Sequence, residues 1–247
     1  MSKAAQVAAM LVVGWGLISP LGVWADDVQV KLGDAADKFI VQDPSGTAKF
    51  SVASDGALVF ADGTQLKTAP GIIYIRWGRT TCPTGATLLY NGYAGGGHYG
   101  QGGSGGTLCL AATPTWDDYS DANQNGALIY GMEYEMSGYG LASLASRHDY
   151  DARCAVCYRQ DASVTFMQPG SQTCPTNWTA EYTGYLMSTH YTQVNRDWAC
   201  VDRAAEATGS STSNDGNLWY PTEYECGSLP CPPYVQDREA TCAVCRK

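Results

Sequence analysis

Positive charge is scarce in this chain. Fifteen Lys and Arg face 24 Asp and Glu for a net charge of −9, and no basic cluster exceeds two residues. A polyanionic partner needs a basic footprint, so the composition argues against nucleic acid and against an anionic membrane surface. Phenylalanine and histidine are rarer still, with four and three residues. Beyond the N-terminal segment no apolar run approaches the ~20 residues that a membrane-spanning helix requires. The common catalytic signatures are also missing: no Gly-x-Ser-x-Gly, no His-Glu-x-x-His, and no Gly-Lys-Ser/Thr after a glycine-rich loop. With no complete set of nucleophile, base and orienting group, the chain reads as a non-enzyme.

What the chain holds in quantity is glycine and tyrosine, 28 and 16 residues, together with ten cysteines. Glycine supplies turns and tyrosine suits pleated, half-buried surfaces, which points to turn-rich β-structure rather than a helical bundle. At 247 residues with 45% hydrophobic content the chain is long enough to bury a core, and disulfides then add to folding instead of replacing it. Lys3 opens a short positive start, an apolar run follows from Ala4 to Ile18, Pro20 breaks it, and Val23 and Ala25 precede Asp26 as a cleavage site would. This is the layout of a secretory signal peptide over residues 1–25. Export places the cysteines where disulfides persist, and no membrane insertion is expected after cleavage.

Between Asp27 and Pro70 there is neither Cys nor Trp. The short apolar runs Phe39-Ile40-Val41, Phe50-Ser51-Val52 and Leu58-Val59-Phe60 alternate with turns at Asp43-Pro44-Ser45-Gly46, Asp55-Gly56 and Asp62-Gly63. Strands this short cannot cover both of their faces unaided. Copies of the same segment around a threefold axis are the simplest cover, and a small meander packed on the C-terminal domain is the alternative. The stretch from Phe60 to Ala69 resembles the neck segments that precede the tip domains of phage tail fibres and trimeric bacterial surface proteins.

From residue 71 onward the chain repeats itself. Cys82-Pro83-Thr84 matches Cys174-Pro175-Thr176, Gly92-Tyr93 matches Gly184-Tyr185, and His98-Tyr99 matches His190-Tyr191, all at an offset of 92. Cys109 matches Cys200 at 91, and Asn125-Gly126 ahead of Leu128 and Tyr130 matches Asp215-Gly216 ahead of Leu218 and Tyr220 at 90. The Cys-Ala-Val-Cys ending at Cys157 matches the one ending at Cys245 at 88. So small a drift means minor loop insertions on one shared fold. The expected organisation is a signal peptide (1–25), a β-stalk (26–70), head repeat 1 (71–160) and head repeat 2 (161–247). The fold class is all-β, with a disulfide-braced head made of two tandem pseudo-equivalent β subdomains.

Four cysteines are common to both repeats: Cys82, Cys109, Cys154 and Cys157 in the first, Cys174, Cys200, Cys242 and Cys245 in the second. Cys226 and Cys231 occur only in the second, where the first has Met136 and Leu141. Joint presence in one copy and joint absence in the other make these two partners. For the shared four, spacing leaves the pairing open. The expected arrangement is nested, Cys82–Cys157 around Cys109–Cys154 and Cys174–Cys245 around Cys200–Cys242. The rival is redox or zinc chemistry at the two Cys-x-x-Cys motifs. Thioredoxin-type motifs open a helix, however, whereas these follow polar turns and β-formers, and a four-cysteine zinc site would strand six thiols in an oxidising space.

The sequence from Tyr74-Ile75-Arg76-Trp77-Gly78 through Cys82-Pro83-Thr84-Gly85 and Gly92-Tyr93, with the Ala152–Cys157 segment and Cys226-Gly227-Ser228-Leu229-Pro230-Cys231, resembles the C-terminal domain of sponge and invertebrate short-chain collagens. More distantly it resembles the C-terminal non-collagenous domain of type IV collagen, another tandem repeat whose halves begin with Cys-Pro and end in Cys-x-x-Cys. The resemblance implies an all-β domain of two pseudo-equivalent halves, nested bridges, and an extracellular matrix or assembly role through trimerisation. One departure is large: there is no Gly-X-Y tract, so no collagen triple helix forms.

Candidate sites follow. The run from Gly92 to Gly106 lacks a following Gly-Lys-Ser/Thr and is not a phosphate loop. It reads as a surface loop for binding or assembly, through Gly95, Gly96, Gly97, His98 and Tyr99, with His190 as the repeat-equivalent and Trp116 as a further aromatic contact. His98 and His190 invite a metal reading, but no third ligand has a supporting spacing, and inherited packing explains the duplication. His148 reads as a solvated loop residue beside Asp149 and Asp151. Asp121, Asn123, Asn125 and Gly126 match the first half of a calcium loop, yet the expected acid at the last ligand position is Met132, with Glu133 one residue late. These residues read better as a polar turn before a strand, so no cofactor is expected, with calcium the one candidate. Asn177-Trp178-Thr179 is a glycosylation sequon, with Trp178 expected in the core. Glu133/Glu135 and Glu223/Glu225 are duplicated carboxylate pairs, which favours a structural role.

These features imply a secreted structural or adhesive protein, self-assembled as a homotrimer or higher species, serving as a matrix, fibre-tip or filament component. The alternative is a lectin-like carbohydrate-binding module that uses the glycine-rich loop and surface aromatics. The expected partners are further copies of the chain, with glycans or cell-surface proteins as ligands.

Overall fold

A computed structural model describes residues 38–53, 55–66, 70–118, 120–122 and 126–247. The expected signal peptide and the calcium-candidate positions Asn123 and Asn125 lie outside them. The chain divides into two compact units, residues 1–66 and 67–247. The described residues of both are all-β; one 3₁₀ turn, Ala145–Arg147, is the only helical element among them.

In the first unit, β1 (Lys38–Gln42), β2 (Ala48–Ala53), β3 (Leu58–Phe60) and β4 (Gln65–Leu66) form an antiparallel meander. The turns between them are set by side chains. Asp43 accepts the amides of Ser45 and Thr47, Asp55 that of Ala57, and Asp62 that of Thr64. Gly46, Gly56 and Gly63 provide the positive φ that each turn requires. Register places Phe39, Val52, Leu58 and Leu66 in one row and Val41, Phe50 and Phe60 in the next. Since alternate residues share a face, these seven apolar side chains line one side of the sheet, and none of them is buried.

The second unit holds ten strands: β5 (Ile72–Trp77), β6 (Thr87–Gly96), β7 (Leu108–Ala111), β8 (Tyr130–Tyr134), β9 (Arg153–Arg159), β10 (Thr165–Pro169), β11 (Thr179–Ser188), β12 (Ala199–Asp202), β13 (Asn217–Pro221) and β14 (Thr241–Arg246). Pairing runs β7-β6-β9-β5 through the first half, then β12-β11-β14-β10 through the second, with β5 and β12 parallel at the joint. The far ends of β6 and β11 pair with β8 and β13, and these two are joined in parallel, closing a ring of strands.

The two halves match rung for rung. Gly92 faces Ala111 as Gly184 faces Asp202, Leu88 faces Cys157 as Ala180 faces Cys245, and Gly96 faces Tyr130 as Ser188 faces Tyr220. Even the bulge recurs, between Leu88 and Tyr90 and between Ala180 and Tyr182. The shared Gly-Tyr motif has a steric cause. A Cβ on Gly92 would sit 1.6 Å from the Leu110 carbonyl oxygen, and one on Gly184 would sit 1.8 Å from that of Val201.

All ten cysteines are bridged, as Cys82–Cys157, Cys109–Cys154, Cys174–Cys245, Cys200–Cys242 and Cys226–Cys231. Strand periodicity keeps the two partners of each motif apart. In β9 and β14 the two cysteines of Cys-Ala-Val-Cys lie an odd number of residues apart and point to opposite faces, so each reaches a different partner. The largest core cluster, including Met132, Tyr134, Leu144, Met187, Val201 and Trp219, draws on both halves.

Candidate functional site

At the far end of β6 the chain forms a groove whose wall is the Gly96–Tyr99 turn and whose floor is β8 and the residues after it. In the first half this groove is full. The start of β13 lies in it, parallel to β8, with Asn217, Leu218 and Trp219 opposite Met132, Glu133 and Tyr134. Tyr99 donates its amide to the Gly216 carbonyl at 3.0 Å and Glu135 donates to Trp219 at 2.8 Å. The Glu133 carboxylate accepts the amides of Asn214 and Asp215 at 3.0 and 3.3 Å. Trp219 is fully buried, edge-on to Trp77 at 5.6 Å and tilted against Tyr134 at 6.1 Å. The space is tight: a Cβ on Gly96 would lie 2.5 Å from Asn217 Nδ2.

The glycine run does not begin as a loop. Gly92–Gly96 is the end of β6, and Gly95, Gly96 and Gly97 are buried. The remainder is held by the other half. Arg196 donates to the carbonyls of His98 and Gln101 at 2.9 and 2.8 Å, and the Thr107 amide reaches Asp197. His98 stacks on Tyr99 at 4.5 Å and meets Tyr130 edge-on at 4.9 Å.

The second half builds the same wall. His190 packs on Tyr191 at 4.5 Å and on Tyr220 at 5.1 Å, the counterparts of His98, Tyr99 and Tyr130. This groove is open, a cavity of about 990 Å³ lined in part by His190, Tyr191, Arg196, Tyr220, Glu223 and Glu225. Tyr139 from the first half covers one end, 5.1 Å from Tyr220. Burial, and then the Glu135 carboxylate, push the Tyr220 hydroxyl up to about 12. Tyr191 is 90% exposed and Trp198 56%. The amides of Tyr191 and Glu225, equivalent to those that hold the inserted strand in the first half, meet no backbone acceptor among the described residues.

The segment that would correspond to the inserted one is Gly126-Ala127-Leu128-Ile129, matching Gly216-Asn217-Leu218-Trp219. Ile129 is 58% exposed where Trp219 is 1%. The same asymmetry marks the sheet ends. At the β5–β12 joint, Glu181 and Tyr182 are buried under the first half, while their counterparts Leu89 and Tyr90 are 50% and 42% exposed. Tyr74 is buried in the joint, while its counterpart Phe166 is 37% exposed and meets Trp178 edge-on. Trp178, expected in the core, is half-buried against that ring.

The joint itself is polar. The Glu181 side chain is fully buried between Arg159 at 2.8 Å and Arg246 at 2.6 Å, and it accepts the Tyr74 hydroxyl. Arg76 pairs with Asp202 at 2.7 Å. Burial, then the bond to Glu181, push the Tyr74 hydroxyl far above its ordinary value.

Beside the filled groove lies a cluster of carboxylates. Ligand atoms of Glu133, Glu135 and Asp215 fall within 4.8 Å of one another, as do those of Glu135, His148 and Asp149. His148 is thus not a solvated loop residue: it is half-buried, accepts the Met136 amide at 3.3 Å, and sits 3.5 Å from Glu135. Burial raises the Glu135 carboxyl to about 7 and raises Glu133 against the pull of its two amide donors. Of the calcium candidates only Asp121 is described, and it is exposed. Trp116 is 76% exposed on a loop and joins neither groove.

Sequence reasoning found both histidine–tyrosine pairs and both glutamate pairs but missed Trp219, Ile129 and Glu181. The repeat alignment held the signal for the first two, because each follows an Asx-Gly turn at the same offset. No protein-family model matches the chain. Five disulfides are compatible with an extracellular protein, and no helix among the described residues is long and apolar enough to cross a membrane.

Proposed function

We propose that this is a secreted structural protein that self-assembles head to tail, the second half of one copy receiving the first half of the next. One observation carries the reading: two grooves with matching walls, one filled by a strand from the neighbouring half and the other open. In this arrangement the Gly126–Ile129 segment of a second copy enters the open groove, and β7 of that copy lies along β10. Leu89, Tyr90 and Phe166 are thereby buried, as Glu181, Tyr182 and Tyr74 are within the chain. A joint between unlike surfaces propagates until rotation closes it into a ring. The uncovered apolar face of the stalk favours closure at three copies, giving a trimeric fibre tip or matrix element.

Sedimentation of the oxidised full chain tests this. The expected result is a concentration-dependent species near three times the chain mass. Ile129→Asp should reduce it to a monomer with unchanged near-ultraviolet circular dichroism. A wild-type chain that stays monomeric at high concentration would overturn the proposal. Glycan binding is the second reading, favoured by the exposed rings of Tyr191 and Trp198 beside Glu223 and Glu225. A glycan array without hits would remove it.

A further inference from the structure

We propose that the Cys226–Cys231 bridge is a redox-sensitive clip on the open groove, which keeps its lip rigid when oxidised and loosens it when reduced. The inference rests on the self-assembly reading and adds a means of regulating it.

The five bridges differ in accessibility. Each of the four long bridges has at least one fully buried sulfur-bearing residue: Cys157, Cys154, Cys245 and both Cys200 and Cys242 are 0–2% exposed. Cys226 and Cys231 are both exposed. A thiolate must approach along the axis of the sulfur–sulfur bond, so an exposed bridge is attacked first.

The position of the clip gives this accessibility a consequence. The Cys226 amide donates to Gln236 Oε1 at 2.7 Å, and Gln236 Nε2 donates to Glu225 Oε2 at 2.6 Å. Glu225 lines the open groove. The bridge therefore closes a short loop whose base fixes a residue at the site where a second copy would pair. In the first half the equivalent loop is fixed differently: Met136 and Leu141 stand in place of the two cysteines and are buried in the core with Leu144. A core contact cannot be switched by a thiol, whereas an exposed bridge can. The permanently filled groove thus has an unswitchable lip, and the groove that takes an outside strand has a switchable one.

The reaction balances with a dithiol as reductant. One of its thiolates attacks a sulfur of the bridge, forming a mixed disulfide and releasing the other sulfur as a thiolate. The second thiol of the reductant then closes its own disulfide and frees the remaining cysteine. Two electrons and two protons pass to the bridge, leaving two thiols and one oxidised dithiol.

The test uses the full oxidised chain. Limiting dithiothreitol followed by alkylation and peptide mapping should label Cys226 and Cys231 while the other eight cysteines stay bridged, with unchanged circular dichroism. The labelled chain, and separately a Cys226→Ser/Cys231→Ser chain, should associate about tenfold more weakly in sedimentation than the oxidised chain, because a pre-ordered lip lowers the ordering cost of docking. Labelling of another bridge first, or equal association of clipped and unclipped chains, would overturn the clip. An oxidised chain that never associates would instead remove the assembly reading, while the order of labelling would still report which bridge is open to attack.

Discussion

The two halves of the second unit share strands, rungs, bulges and bridges, yet one ends in a packed groove and the other in an open one. In the first half, the floor strand β8 is covered by Trp219 and the Glu133 carboxylate is filled by two amides. In the second, Tyr191 stands almost wholly in solvent and Glu225 is tied to Gln236. Matching strand geometry with opposite occupancy teaches that the strand pattern of the repeat does not by itself decide which groove is filled. The groove of the first half is filled by β13 from the neighbouring half, and no segment among the described residues fills that of the second.

Breaking the shared bridges should have the largest effect on this comparison. Losing Cys82–Cys157 or Cys174–Cys245, which close loops spanning 75 and 71 residues, should cost roughly 3–5 kcal/mol in thermal unfolding, because long loops regain the most chain entropy. Comparable losses from either half would confirm that the halves fold as equals. Removing the short Cys226–Cys231 bridge should cost clearly less.

Trp219→Ala should cost about 3–5 kcal/mol by emptying a fully buried ring position. Ile129→Ala, at the equivalent exposed position, should change the unfolding of an isolated chain by no more than about 0.5 kcal/mol. The two variants measured side by side by chemical denaturation give the most direct measure of which groove is filled.

At the joint, Glu181→Gln leaves the buried Arg159 guanidinium and the partly buried Arg246 guanidinium facing a neutral amide and should cost about 3 kcal/mol. Leu89→Glu restores a carboxylate at the equivalent exposed site. It should leave chain stability nearly unchanged while weakening association in sedimentation.

The smallest expected effect is on pH dependence. Burial holds the Glu135 carboxyl at about 7, above its value in the unfolded chain, so the folded state binds that proton more tightly. The stability it contributes is complete in acid and is lost as pH rises through about 7. Glu133 and Asp151 are shifted upward as well, also mainly by burial. Melting temperatures should therefore fall between about pH 5 and about pH 8, and Glu135→Gln should shrink the difference.

Much of this was legible in the letters. Gly-Tyr and Cys-Ala-Val-Cys recur at drifting offsets, and each marks the same rung in both halves, because each answers a steric demand of one strand pattern. The Cys226–Cys231 pair was legible from its absence in the first half, and the nested pairing expected for the other eight is the one the structure holds. The environment of His148 was not, since contact with Glu135 arises from a loop folding back over β8. Nor was the burial of Gly96 and Gly97, against which Asn217 and Arg196 arrive from the other half.

By itself the sequence determined the all-β class, the duplication and the turn chemistry of the stalk, because these depend on spacing, side-chain size and local hydrogen bonding. Only the tertiary structure decided that Trp219 is buried while Ile129 is exposed, and that Glu181 is sealed between two arginines while Leu89 faces water. Equivalent positions carry the same local pattern, and which of them is covered is set by the long-range joining of the halves, which no local pattern encodes.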